Sequence, residues 1–220
     1  MSATLSESDS KALLAGFGVP FLPEVLASDV DQAVDFVADC TGPVAMKLCG
    51  HSIAHKSERG LVRLGVDGEG HARQAFEELM AAALPEDRAT GVLVAPMAVG
   101  LREFIAGVTV DQVFGPTVAF GLGGVLAEAI GDITIRLAPL RRHDAFDMME
   151  SLNSRVLLGE FRGEPAVDRE RLADLLCSLS EAATNIDGLL SIDLNPVMIV
   201  DGLPCALDAL VELDRGVDAP

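Results

Sequence analysis

The stretch GHSIAHKSERG (50–60) gathers two histidines, two cations, hydroxyls and glycines in one loop. A neutral imidazole is a nucleophile able to accept a phosphoryl group, and nearby cations stabilise the charge that arrives with it. His55 is placed for that role, with Lys56 and Ser57 following it directly and His51 as the competing histidine. Lys47 stands alone within the apolar run PVAMKLC. An ammonium among apolar residues needs a partner or a ligand. It therefore reads either as a charge held against a phosphate or as an edge-strand lysine reaching water. Downstream, Asp193 and Asn195 in IDLNP alternate onto one face of a strand. The Asp201-Gly202 turn brings Asp208 back beside them. Carboxylate and amide oxygens so arranged are hard ligands suited to Mg²⁺, which commonly also holds waters and substrate phosphates. The glycine turn around Gly123 lets backbone approach phosphate closely, although it is neither a P-loop nor a dinucleotide fingerprint. Each segment also has a plain reading: a solvated loop, a capped turn before proline, a common glycine turn.

The elements that must position these groups follow from periodicity. Ser6 or Ser8 caps a first helix through Leu14, ended by Gly16 and Gly18. Residues 28–40 carry apolar side chains at the spacing of an amphipathic helix, and 69–84 and 168–184 are further helices. PVAMKLC, LVRLGV, GVLVAPM, LREFIAGVTV, PTVAFGLGG and DITIRLAPL read as strands. LLSIDLNPVMIV and LPCALDALVEL form a hairpin about Asp201-Gly202. Helices and strands mix without a uniform parallel pattern, which points to an α+β fold in lobes more than to one doubly wound sheet. A boundary near Pro96 divides the chain into 1–95 and 96–220.

Composition narrows the function. The 220 residues are half hydrophobic, enough for a sizeable core. A net charge of -18 argues against general nucleic-acid binding. No apolar run suits a membrane helix, and the start lacks a basic region followed by an apolar stretch. The four cysteines are scattered without a CxxC pair, as in a reducing cytosol. A cytoplasmic protein is expected.

Taken in order, the segments resemble the beta (ATP-grasp) subunit of ADP-forming acetyl-CoA or acyl-CoA synthetases, and more distantly the beta chain of succinyl-CoA synthetase. The resemblance begins at SESDSKALLAGFGVP, runs through PVAMK, HKSERG, GVLVAPM, GLREFIAGV, FGPTVAFGLGGVLAE, DITIRLAPL, LLGEFRG and IDLNP, and ends at ALDALVEL. It implies an ATP-grasp fold of two lobes with the nucleotide between them. It implies that Lys47 holds nucleotide phosphate and that His55 is the phosphoryl acceptor, with Asp193 supporting the phosphohistidine. Asn195 and Asp208 look like the Mg²⁺ ligands. Lys56, Ser57, Val94, Met97, Glu103 and Gly123 fall where such subunits contact ATP or ADP. The sequence departs from the family pattern at Leu61, where a second glycine is usual, and at Asp111-Gln112-Val113 before FGP.

The implied chemistry is a relay in which a partner alpha subunit, a separate chain that binds CoA, makes acyl phosphate. Its phosphoryl group passes through His55 to ADP. The imidazole must be neutral to attack, so activity should fall at low pH. Two other readings stay open: a nucleotide-sensing regulatory subunit with a decayed site, which Leu61 would favour, and an ATP-grasp carboxylate–amine ligase without a histidine relay. The acyl substrate and the choice of ATP over GTP are not legible.

Overall fold

The computed structural model describes residues 2–51, 53, 56, 58–124 and 127–214. The elements in the first half are β1 (Ser2–Thr4), α1 (Glu7–Ala15), β2 (Val25–Ala27), α2 (Val30–Asp39), β3 (Val44–Gly50), β4 (Val62–Val66), α3 (Gly68–Ala81) and β5 (Ala89–Pro96). Then come β6 (Glu103–Asp111), β7 (Gly115–Leu122), α4 (Ala127–Ile130), β8 (Ile133–Leu137), α5 (Arg142–Ser151), α6 (Arg169–Asn185), β9 (Leu189–Val200), β10 (Leu203–Ala206) and β11 (Leu210–Asp214). Helices and antiparallel sheets mix as expected of an α+β chain.

Contacts divide the chain into two compact units. The first holds Leu5–Asp9 and Leu22–Met97. Its sheet has the order β2-β5-β3-β4, so β3 is an interior strand paired on both sides. α2 and α3 bury Ala33, Val34, Val37, Ala72, Phe76 and Leu79 in one core with Met46 and Val94. α2 starts where Asp29 accepts from the Gln32 N–H at 2.9 Å, an N-cap interaction worth about 1 kcal/mol. Ser6 caps α1 in the same way: its Oγ accepts from the Asp9 N–H at 3.1 Å and donates to the Asp9 carboxylate at 2.6 Å.

The second unit holds Ser10–Phe21 and the chain from Ala98 onward, with β1. The early segments join it through long-range pairing. β1 lies antiparallel to β11, with Ser2 opposite Asp214, and Val211 N–H donates to Ser10 Oγ at 3.1 Å. The sheet runs β1-β11-β9-β6-β7-β8, with β10 also on β9. Alternate residues of β6 and β7 (Phe104, Ala106, Val108, Val118, Phe120) are buried on the face that α5 and α6 cover. The Phe104 and Phe120 rings stack with centroids 5.3 Å apart, a contact worth about 0.5–1.5 kcal/mol beyond burial. The opposite face carries Ile105, Gly107, Asp193 and Asn195, as the alternation requires.

Beside β6 the chain turns back over 157–165, pinned by Arg102, which is nearly fully buried. Its guanidinium donates to Glu164 Oε2 at 2.9 Å and to the carbonyls of Leu157 (3.0 Å), Gly159 (2.9 Å) and Pro165 (2.6 Å).

Candidate functional site

Both ladders of β9 break at one place. β10 pairs with Val197–Val200 and β11 with Leu189–Asp193, which leaves Leu194–Pro196 opposite Leu207–Ala209 between them. On the other edge, Phe104 faces Val197 and Ala106 faces Leu194, so Ile105 alone faces both Asn195 and Pro196. Proline has no N–H to give a ladder, and a bulge re-aims the side chains beside it. Asp193 and Asn195 therefore lie on the face opposite the helices, and the Leu207 N–H returns to Pro196 O at 3.0 Å. Asp208 follows at once, with its own Oδ1 capping the Ala209 N–H at 2.8 Å. The Asp193 carboxyl is pushed above the usual carboxylate range, first by desolvation and then by the negative charge of Asp208. The Asp201-Gly202 turn does bring Asp208 back beside Asp193, through residues at positive φ (50° and 83°).

Glu103 and Gly123 also meet. Gly123 N–H donates to Glu103 O at 2.8 Å, and a Cβ on Gly123 would lie 2.9–3.0 Å from the Glu103 and Phe104 backbone. Only glycine permits that approach. Gly107, opposite Asp193, is similarly tight, since a Cβ there would lie 2.6 Å from Ile192 O. A cavity of about 670 Å³ opens between Asn195, Ile105, Leu122, Gly124 and Asp132. Asp132 is buried, which alone would raise its carboxyl. Hydrogen bonds from Ser154 and Asn153 outweigh that and hold it below the usual range.

In the other unit, Lys47 is not on an edge. It sits at the middle of β3, opposite Val62 and Leu93, and its ammonium donates to Glu7 Oε1 at 2.8 Å. The second oxygen of Glu7 takes Lys56. The Glu7 side chain is 1% exposed, against 19% for Lys47 and 14% for Lys56. One buried carboxylate thus gathers Lys47 and Lys56. Arg59 anchors the same loop by a two-armed bond to buried Asp87 (2.6 and 2.8 Å), which keeps the Asp87 carboxyl below its usual range. Leu61 has its side chain in the core with Leu48 and Ile53, and its N–H donates to Lys56 O at 2.8 Å. Val94 is fully buried in the interior strand β5, opposite Val25 on one side and Met46 on the other. Met97, just past β5, is partly exposed. His55 and Ser57 lie outside the described residues.

The structure thus brings together Asp193, Asn195 and Asp208, Glu103 with Gly123, and Lys47 with Lys56. Sequence reasoning missed Glu7 and Asp132. Glu7 reads as a first-turn helix acid, and no local pattern links it to lysines 40 and 49 residues away. Among the described residues no group of three His, Cys, Asp or Glu side chains forms a cation site by itself. A Mg²⁺ held by one or two carboxylates plus an amide, waters and phosphate oxygens would still fit this oxygen-only set. No helix among the described residues is long and apolar enough to cross a membrane.

Residues 1–213 match the ATP-grasp domain family. The chain is 34% identical over 208 residues to the beta subunit of acetate–CoA ligase [ADP-forming] I of Pyrococcus furiosus, spanning 93% of this chain and 90% of that one. It superposes with TM-score 0.90 and 32% identity on the dinucleotide-forming acetyl-coenzyme A synthetase 1 of Ca. Korarchaeum cryptofilum in complex with coenzyme A and Ca-AMPCP, over 96% of this chain and 94% of that one. A second structure of that synthetase, with Mg-AMPPCP and a phosphohistidine segment pointing towards its nucleotide-binding site, matches at TM-score 0.82 and 32% identity over 94% and 92%. The chain belongs to the ATP-grasp domain family, in the branch that holds the beta subunits of ADP-forming acetate–CoA ligases.

Proposed function

We propose that this chain is the nucleotide-handling subunit of an ADP-forming acyl-CoA synthetase, an acid–thiol ligase, and that it moves a phosphoryl group between a histidine and ADP. The observation that carries the reading is the 34% identity to a ligase beta subunit along nearly the full length of both chains. The gathering of Lys47 and Lys56 on one carboxylate and the oxygen ligands about Asn195 support it. The subunit naming of that relative supports a multi-subunit enzyme, whose other chain would bind CoA. We place the protein in the cytoplasm, where its cysteines, none in a disulfide, would stay reduced.

His55 is the phosphoryl carrier in this reading. Its neutral imidazole nitrogen attacks the γ-phosphorus of ATP. The N–P bond forms as the bond to the ADP oxygen breaks, and ADP leaves with the electron pair. The reverse step makes ATP. Lys47 and Lys56 offer positive charge to the phosphate oxygens, and Ser57 contributes a hydroxyl. Glu103, the Gly123 turn and Met97 are assigned to nucleotide binding, and Val94, buried in an interior strand, serves only by packing. Asp193 is the acidic group assigned to support the phosphohistidine. Asn195 and Asp208 would hold Mg²⁺, which when bound neutralises phosphate charge. In the whole enzyme, acyl-CoA, ADP and phosphate would interconvert with free acid, CoA and ATP.

The test is phosphorylation of the purified chain by γ-labelled ATP with Mg²⁺. Label that survives alkali and is lost in acid marks a phosphohistidine. No protein-bound label, with a CoA-binding partner added, would leave a nucleotide sensor. Label in wild type that persists in His55→Ala would move the carrier elsewhere.

A further inference from the structure

We propose that Glu7 is a positioning residue for phosphoryl transfer, holding Lys47 and Lys56 together as one cationic pair; this rests on the phosphoryl-transfer reading above. Lys47 comes from the middle of an interior strand and has little freedom of backbone. Lys56 comes from the loop that carries His55, its neighbour in sequence. Between them stands a carboxylate almost removed from water, with Oε1 accepting from Lys47 and Oε2 from Lys56. Both lysine side chains remain partly exposed, unlike the carboxylate between them.

The arrangement has three consequences. The two like charges are kept close, which their mutual repulsion would otherwise oppose. Each ammonium brings the sign of charge that a phosphate requires. The lysine arms, each rich in rotamers, are already ordered before the phosphate arrives, so less entropy is lost at that moment. Glu7 is itself fixed, in the first turn of a helix that Ser6 caps. It acts through the lysines and need not touch the reacting atoms.

The experiment measures Mg²⁺-dependent label exchange between ADP and ATP at saturating nucleotide, on folded protein checked by circular dichroism. Wild type, Glu7→Gln, Lys56→Met and the double variant form a cycle. The expected result is a loss of tenfold or more in Glu7→Gln, and a loss from the same change at least threefold smaller when residue 56 is already Met, because part of what Glu7 positions is gone. Glu7→Asp keeps the charge on a shorter arm and should fall between wild type and Glu7→Gln. It also keeps the test open if Glu7→Gln does not fold. Exchange within threefold of wild type in Glu7→Gln, or losses that simply multiply in the double variant, would overturn the positioning role and leave the phosphoryl-transfer reading intact. Absence of exchange in wild type would instead remove that reading and this inference with it.

Discussion

Replacing Arg102 by methionine tests the packing beside β6. The guanidinium is buried and serves one carboxylate and three carbonyls, at 2.6–3.0 Å. Methionine fills much of the volume but donates nothing. Each buried acceptor left unpaired costs about 1–3 kcal/mol, and the costs are not additive. Glu164 still accepts from the Leu101 N–H at 2.7 Å and is 22% exposed, which limits the damage on its side. Breaking a buried pair by removing one partner typically costs about 3–5 kcal/mol, and that is the expected loss. With an unfolding entropy of about 2.1 cal/mol/K per residue, a chain of this length should lose roughly 6–11 °C of Tm. Far-UV circular dichroism is the right readout, because the chain has no Trp or Tyr. Arg102→Lys should lose most of the same amount, since one ammonium cannot reproduce the planar fork. A Tm shift below about 2 °C in Arg102→Met would refute the assignment of this network as a stabilising anchor.

Asp87 has a folded-state pKa below its unfolded value, so it contributes stability above the unfolded value near about 3.9, lost as pH falls through the folded one. The stability gap between wild type and Asp87→Asn should therefore be widest at neutral pH and close in acid; a gap that grows on acidification would contradict the Arg59 pairing. Gly123→Ala pushes a Cβ against the Glu103 backbone and should weaken ADP binding by calorimetry roughly tenfold, as about 1.4 kcal/mol of lost contact implies. Unchanged affinity would remove Glu103 and Gly123 from the nucleotide site. Mg²⁺ with ADP should raise the Tm of wild type more than that of Asp208→Asn, and equal rises would exclude Asp208 as a ligand.

Local chemistry made much of this legible. The helices expected over 28–40, 69–84 and 168–184 follow from apolar periodicity, and the structure starts them at 30, 68 and 169, the first and last behind the caps Asp29 and Asp168. The Asp201-Gly202 turn and the shared face of Asp193 and Asn195 follow from strand alternation. Sheet order was not legible. Lys47 looks equally at home on an edge until β4 and β5 are seen to flank it. Glu7 and Arg102 were hidden for the same reason: their partners lie 40 or more residues away, and a local window reads a charged residue as solvated. Leu61 departs from the usual glycine, yet its side chain is spent on the core.

The claim that this chain passes a phosphoryl group through His55 is tested most directly by label exchange between ADP and ATP in wild type and His55→Ala. Exchange requires the group to be parked on the protein and returned. Mg²⁺-dependent exchange in wild type and none in His55→Ala is the expected result. Equal exchange in both, or none in wild type even with a CoA-binding partner present, would contradict it.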